Sequence, residues 1–115
     1  MTDEKKYIDS EEGLKRVMNN GKLYARLLGK FKADTSFADL GAHLAAGDME
    51  KAQASVHTLK GLAANLSFTE LFERARDLES RIKERAVPDG ALDTVKTAYD
   101  ETLKRLDEVI AKYAT

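Results

Sequence analysis

Met49-Glu50-Lys51-Ala52-Gln53-Ala54-Ser55-Val56-His57-Thr58-Leu59-Lys60-Gly61-Leu62-Ala63-Ala64-Asn65-Leu66 is the stretch that decides the fold. Its residues Met49, Ala52, Val56, Leu59, Ala63 and Leu66 are separated by 3, 4, 3, 4 and 3 positions. An α-helix turns once in about 3.6 residues, so these side chains fall on one seam. Strands alternate apolar and polar positions, and that alternation is missing. The spacing predicts one long helix over 49–66, with its seam packed on neighbouring helices.

The same period extends outward in both directions. Gly47 and Asp48 mark the start of the long helix, and Gly47 ends an earlier one over 36–46 with Phe37, Leu40 and Leu44 as its apolar residues. Asp34 and Thr35 are candidate caps for that earlier helix. Before it, a helix over 22–32 places Leu23, Leu27 and Phe31 in one row, with Tyr24 and Leu28 beside it. The first helix is expected over 10–19, with Ser10 as N-cap and Glu11 and Glu12 in the first turn, where the helix dipole favours acids. Leu14, Val17 and Met18 give it a short apolar face, and Asn19-Asn20-Gly21 stops it. Residues 1–9 are expected to be flexible or loosely packed, with Ile8 as a tether.

Downstream, Ser67-Phe68-Thr69-Glu70 reads as a capping box, with Ser67 as N-cap. The helix it opens is expected to run to Arg85, and Leu71, Ala75, Leu78 and Ile82 repeat the seam. Val87-Pro88-Asp89-Gly90 is the clearest turn. The last helix, over 91–113, lines Leu92, Val95, Tyr99, Leu103, Leu106, Ile110 and Tyr113 along one side. Long helices joined by short connections favour antiparallel neighbours in a bundle.

Composition narrows the functional classes. The 115 residues fit a single domain, and 43% hydrophobic with 34% charged residues describes a helical chain that folds, not a disordered one. A net charge of −1 with both signs mixed gives no reason to expect nucleic acid or a membrane surface as partner. No cysteine is present, so disulfides and thiolate metal sites are excluded. No apolar run approaches the roughly 20 residues that span a bilayer. The opening residues, Met1 to Lys6, are charged with no apolar stretch behind them, unlike a signal peptide. A cytoplasmic, monomeric, free-standing protein is the simplest expectation.

Candidate chemistry concentrates beside the seam. His57 follows the core position Val56 and therefore sits on its shoulder. Gln53, His57, Lys60, Gly61 and Ala64 form a polar or small stripe there, and residues three and four apart meet on one helix face. Glycine inside a helix costs about 1 kcal/mol relative to alanine. Gly61, one turn beyond His57, leaves the imidazole open and lets another protein approach. Lys60 places positive charge within reach of a phosphoryl group, which carries about −1.5 to −2 charges. A neutral imidazole has one unprotonated nitrogen, a competent nucleophile. A lone helical histidine is most often structural or solvated, and His43, with no glycine one turn on, is read that way. Two distant histidines without an acidic cluster make no metal site. The aromatic residues Phe31, Phe37, Phe68, Phe72, Tyr99 and Tyr113 are most simply core.

The run Ala54 to Leu66, with its His-x-x-Lys-Gly centre, resembles the signature of histidine-containing phosphotransfer (HPt) domains. Asn20 to Leu28 resembles that family's preceding helix, Gly47-Asp48 its turn, and Leu71 to Glu79 its following helix, so the similarity covers about 8–113. The resemblance implies an all-α fold, an antiparallel four-helix bundle (up-down-up-down) with additional short N-terminal helices, as one domain over 1–115. It implies phosphoryl transfer between receiver domains of response regulators and a hybrid histidine kinase, without ATP binding. No cofactor is implied for this chain; magnesium and the acceptor aspartate belong to the receiver. By position, His57 would be phosphorylated, Lys60 would stabilise the phosphate and Gly61 would clear access. Gln53, Ala64, Glu79 and Lys83 would surround them, with Glu79 orienting the ring and Lys83 adding charge. Docking would use a shallow apolar patch including Leu62, Ala64 and the first helix.

Two departures stand out: Leu62 where a small residue is common, and Ser67 where glycine is common. Two other readings compete. One is an interaction module that binds receivers without relaying phosphate. The other is the phosphoacceptor and dimerisation domain of a histidine kinase, but no ATP-binding region follows and Thr58 stands where that class usually has an acid.

Overall fold

The computed structural model describes residues 3–115, with side chains from Lys5 onward; Met1 and Thr2, at the start of the charged opening run, lie outside the described residues. Among the described residues seven helices follow one another: α1 (Asp3–Tyr7), α2 (Ser10–Arg16), α3 (Gly21–Phe31), α4 (Ser36–Ala45), α5 (Met49–Leu66), α6 (Thr69–Lys83) and α7 (Ala91–Tyr113). No strand occurs among the described residues, so the all-α expectation holds. Contacts link α3 to α5, α5 to α6, α6 to α7 and α7 back to α3, closing a ring of four. The short α4 packs on α5, and α1 lies across α6 and α7.

The seam of α5 is buried as its spacing predicts: Ala52, Val56, Leu59 and Ala63 are fully enclosed, Leu66 nearly so, and Met49 packs at the edge. Leu71, Ala75, Leu78 and Ile82 of α6 meet it from the other side. The faces of α3 and α7 are rotated from the sequence expectation. On α3 the buried line is Tyr24, Leu28 and Phe31 with Ala25, while Leu23 and Leu27 are half-buried. On α7 it is Val95, Ala98, Thr102, Leu106 and Val109. The bulky Leu92, Tyr99, Leu103 and Ile110 flank that line. Small residues at its centre let neighbouring helices approach, and the Thr102 hydroxyl satisfies itself by donating to Ala98 O at 2.8 Å.

Several expected boundaries move. The segment 1–9 is not loosely packed where it is described: 3–7 are helical and Ile8 is fully buried. Burial of one Ile against the core outweighs the charged flank around it. Asp9, not Ser10, caps α2, accepting from Glu12 N at 3.4 Å. The Ser10 hydroxyl instead accepts from the Tyr113 hydroxyl at 3.1 Å. α2 ends at Arg16, and Met18 and Asn19 take left-handed conformations before Asn20 caps α3.

The largest correction is at Ser67. It is not the N-cap of a capping box. It is the left-handed residue that ends α5 (φ 61°, ψ 41°), and Phe68 opens α6 without a side-chain cap. Its backbone turns the chain so that Phe68 N reaches Ala63 O at 2.8 Å, closing the last turn of α5. This conformation favours glycine. Here the Ser67 hydroxyl donates to Glu12 Oε1 at 3.1 Å and its carbonyl accepts from Asp9 N at 2.9 Å. Tyr24 completes the joint by donating to Leu66 O at 2.9 Å. Burial pushes the Tyr24 phenol well above its ordinary range, so it stays a donor. A side chain at Gly13 would run into that same Tyr24 ring, which explains a glycine inside α2.

Candidate functional site

α5 and α6 carry the site between them. Val56 and Leu59 are fully buried and hold α5 against the core, which turns His57 outward with 71% of its side chain exposed. Opposite it, α6 buries Leu78 and Ile82, and Glu79 beside them is only 3% exposed. A carboxylate this deeply enclosed is costly without partners. Glu79 has three. His57 Nδ1 lies 3.0 Å from its Oε2, Lys60 Nζ 2.5 Å from its Oε1, and Lys83 Nζ 4.0 Å from Oε2.

Burial alone would raise the Glu79 carboxyl. Hydrogen bonds from Lys60 and His57, with the charges of Lys60 and Lys83, nevertheless hold it below its ordinary value. It is therefore ionised at neutral pH and accepts hydrogen bonds only. In the neutral form of the ring its partner Nδ1 is the nitrogen that carries the proton, and the unprotonated nitrogen is then Nε2, on the exposed side. This tautomer, inaccessible to sequence reasoning, follows from the partner.

The lowered Glu79 value has a consequence for stability. A carboxyl depressed by folding contributes stability above the ordinary carboxylate range, from about pH 4.3 upward. That contribution is lost as pH falls through this range and then through the folded value. Wild type should therefore lose more of its urea midpoint between pH 7 and pH 3 than Glu79→Gln. Parallel midpoint curves for the two proteins would contradict it.

The other sequence-predicted residues separate into two groups. Gln53 lines an open hollow of about 450 Å³ beside His57, together with Glu50, Ala54, Glu79 and Lys83. Helical side chains lean toward the N-terminus, so the space beside the ring opens toward Gln53. Glu50 was not singled out from the sequence, although it stands seven residues before His57 on the same face. Ala64 belongs elsewhere, to a small hollow with Ser67, Phe68 and Phe72. Gly61 is exposed, and a Cβ built on it would meet nothing within 4 Å. The fold therefore does not require glycine there. Lys60 is more constrained than its spacing implies: it is 26% exposed and already paired with Glu79.

Leu62 lies on the opposite flank of α5 from Glu79. It lines a groove of about 660 Å³ with Val17, Leu27, Phe31 and Leu66, bordered by Arg16, Lys30 and Asp34. No cluster of residues fit to hold a metal ion occurs among the described residues. No helix among them is long and apolar enough to cross a membrane.

The Hpt domain family model matches residues 27–109, well over half the chain. The chain belongs to the Hpt domain family. Neither the curated proteins nor the solved structures gave a significant match. Membership gives this Hpt protein a histidine phosphotransfer role in a phosphorelay. The match spans α5 and α6 entirely, so the helices that form the His57 cluster are part of the family's own region.

Proposed function

We propose that this Hpt protein accepts a phosphoryl group on Nε2 of His57 from an aspartyl phosphate in one receiver domain and passes it to another. A hybrid histidine kinase is the upstream source. The observation that carries the reading is the pairing of an exposed imidazole with a buried, ionised carboxylate at its inner nitrogen, 3.0 Å away. Such a ring is fixed in direction and presents a lone pair outward, which is what in-line attack on phosphorus requires. Lys60 and Lys83 add positive charge to the site where phosphoryl charge arrives. Gln53 borders the ring, and Gly61 leaves room for the partner's loops.

Receivers dock on the exposed face of α5 that carries His57 and Gly61, and the groove that includes Leu62, on the flank of that helix away from Glu79, extends the contact. Magnesium and the second reacting carboxylate come from the receiver; this chain supplies no cofactor and acts as a carrier without ATP-dependent kinase activity. The proposed setting is the cytoplasm, as a monomer.

Incubation with a receiver carrying labelled aspartyl phosphate tests the proposal. Wild type should take up label and His57→Gln should stay at background. Equal labelling of both rejects His57 as the carrier. Binding of the phosphorylated receiver without any transfer points instead to an interaction module.

A further inference from the structure

We propose that Glu79 keeps the proton on Nδ1 of His57 after the ring has taken up a phosphoryl group, and that this proton makes the phosphohistidine a ready donor. The inference rests on His57 being the phosphoacceptor. It concerns what happens to the ring between arrival and departure of the phosphate.

The electron balance shows why one proton matters. In the first step the Nε2 lone pair forms a bond to phosphorus. The bond from phosphorus to the aspartyl oxygen breaks, and its electron pair returns to the receiver carboxylate. The ring entered neutral with hydrogen on Nδ1, so it is now cationic. In the second step a carboxylate oxygen of the next receiver bonds to phosphorus, and the P–Nε2 pair returns to Nε2. With Nδ1 still protonated, the group that leaves is neutral imidazole. Without that proton it is an imidazolate anion, a far stronger base and a poor leaving group. A phosphorylated ring that loses this proton to solvent is trapped.

Glu79 is placed to prevent the loss. It contacts Nδ1 directly at 3.0 Å and is nearly sealed from water, so its charge acts on the ring at short range. The charged groups facing the ring are Glu50 and Lys60 from α5 and Glu79 and Lys83 from α6. Both lysines contact Glu79 itself, at 2.5 Å and 4.0 Å, where they keep it ionised. A neutral amide at position 79 would accept the same hydrogen bond but exert no net charge on the ring. Glu79 is thus a positioning residue that acts through Nδ1, and its contribution is to hold a proton as well as an orientation.

The test uses the full chain as wild type, Glu79→Gln and Glu79→Asp, each phosphorylated with phosphoramidate. Nitrogen NMR of the ring follows the Nδ1 proton, and transfer to a receiver domain is timed from about pH 6 to about pH 9, across and above the ordinary histidine range. Wild-type transfer should stay level as pH rises. Transfer from Glu79→Gln should fall about tenfold for each pH unit above the midpoint at which its ring loses the proton. Glu79→Asp keeps the charge and should resemble wild type more than the amide does; if the amide variant does not fold, the wild-type titration decides, because a phosphorylated wild-type ring that loses its Nδ1 proton within the ordinary histidine range overturns the inference.

Identical ring titrations and identical pH profiles for wild type and Glu79→Gln overturn the inference. So does a slowing of the amide variant that is uniform at every pH. A wild type that is phosphorylated but passes nothing to any receiver overturns the relay reading instead, and the NMR titration still decides the fate of the proton.

Discussion

Glutamine in place of Gly61 is expected to leave the protein folded, slightly more stable, and unable to relay phosphate. The two halves of this expectation have separate causes. A Cβ at position 61 meets no atom within 4 Å, so nothing inside the molecule resists the new side chain. Removing a mid-helix glycine recovers about 1 kcal/mol of helix propensity. The loss arises only when a receiver arrives. In the proposed relay its aspartyl phosphate reaches Nε2 along the face that position 61 shares with His57, and a displacement of about 1 Å costs on the order of 100-fold in rate. Transfer from a phosphorylated receiver should therefore fall by roughly 100-fold or more, while the thermal midpoint rises by a few degrees. Gly29→Ala is the control, because a Cβ there also meets nothing within 4 Å. It should gain similar stability and keep its transfer rate. A Gly61→Gln protein that relays as fast as wild type would remove the steric explanation for this glycine.

Phe68→Ala is expected to be the most damaging substitution for stability. Phe68 is fully buried at the joint of α5 and α6, and its ring packs edge-on against Phe31 at 4.9 Å between centroids. Its backbone is part of the same joint: its N–H bonds Ala63 O at 2.8 Å, and its carbonyl accepts from Phe72 N at 2.9 Å. Truncating a buried Phe to Ala costs about 3–5 kcal/mol. That is a large fraction of the roughly 5–15 kcal/mol that holds a domain folded. At about 4 °C per kcal/mol the thermal midpoint should drop by roughly 12–20 °C. Phe72, half-buried with the Arg76 guanidinium over its ring, should cost clearly less on truncation. Urea unfolding of the two variants compares them directly, and equal losses would show that the joint does not depend on the Phe68 ring.

The parts of the fold legible in the sequence were those where large apolar residues mark the centre of the buried face. Val56 and Leu59 on α5, and Leu71, Leu78 and Ile82 on α6, are of this kind. α7 was read with a rotated face, because its centre is Ala98 and Thr102 and its bulky residues stand at the sides. Size marks the burial of a side chain, but close approach of two helices selects for the small ones. Ser67 was misread because a serine three residues before a glutamate satisfies a local pattern. The tertiary contacts to Glu12 and Asp9 that support its left-handed backbone lie far away in sequence.

At the site, the shared face of His57, Lys60 and Gly61 was visible from helical geometry. Glu79 was placed near the histidine only through a family resemblance. Nothing in its local sequence, between Leu78 and Ser80, says that this acid is buried while Asp77 beside it is exposed. That Lys60 is already paired with Glu79 was equally hidden, since two helices must pack before the pair exists.

The bonds around Ser67 also bear on where the folding unit starts. The family match begins at residue 27. Yet the carbonyl of Ser67 is satisfied by Asp9, the Ser10 hydroxyl meets Tyr113 at the far end of the chain, and Ile8 is enclosed in the core. A fragment trimmed to the recognisable region would uncover the tail of the histidine helix. The stretch that identifies this protein is thus shorter than the stretch that holds it together.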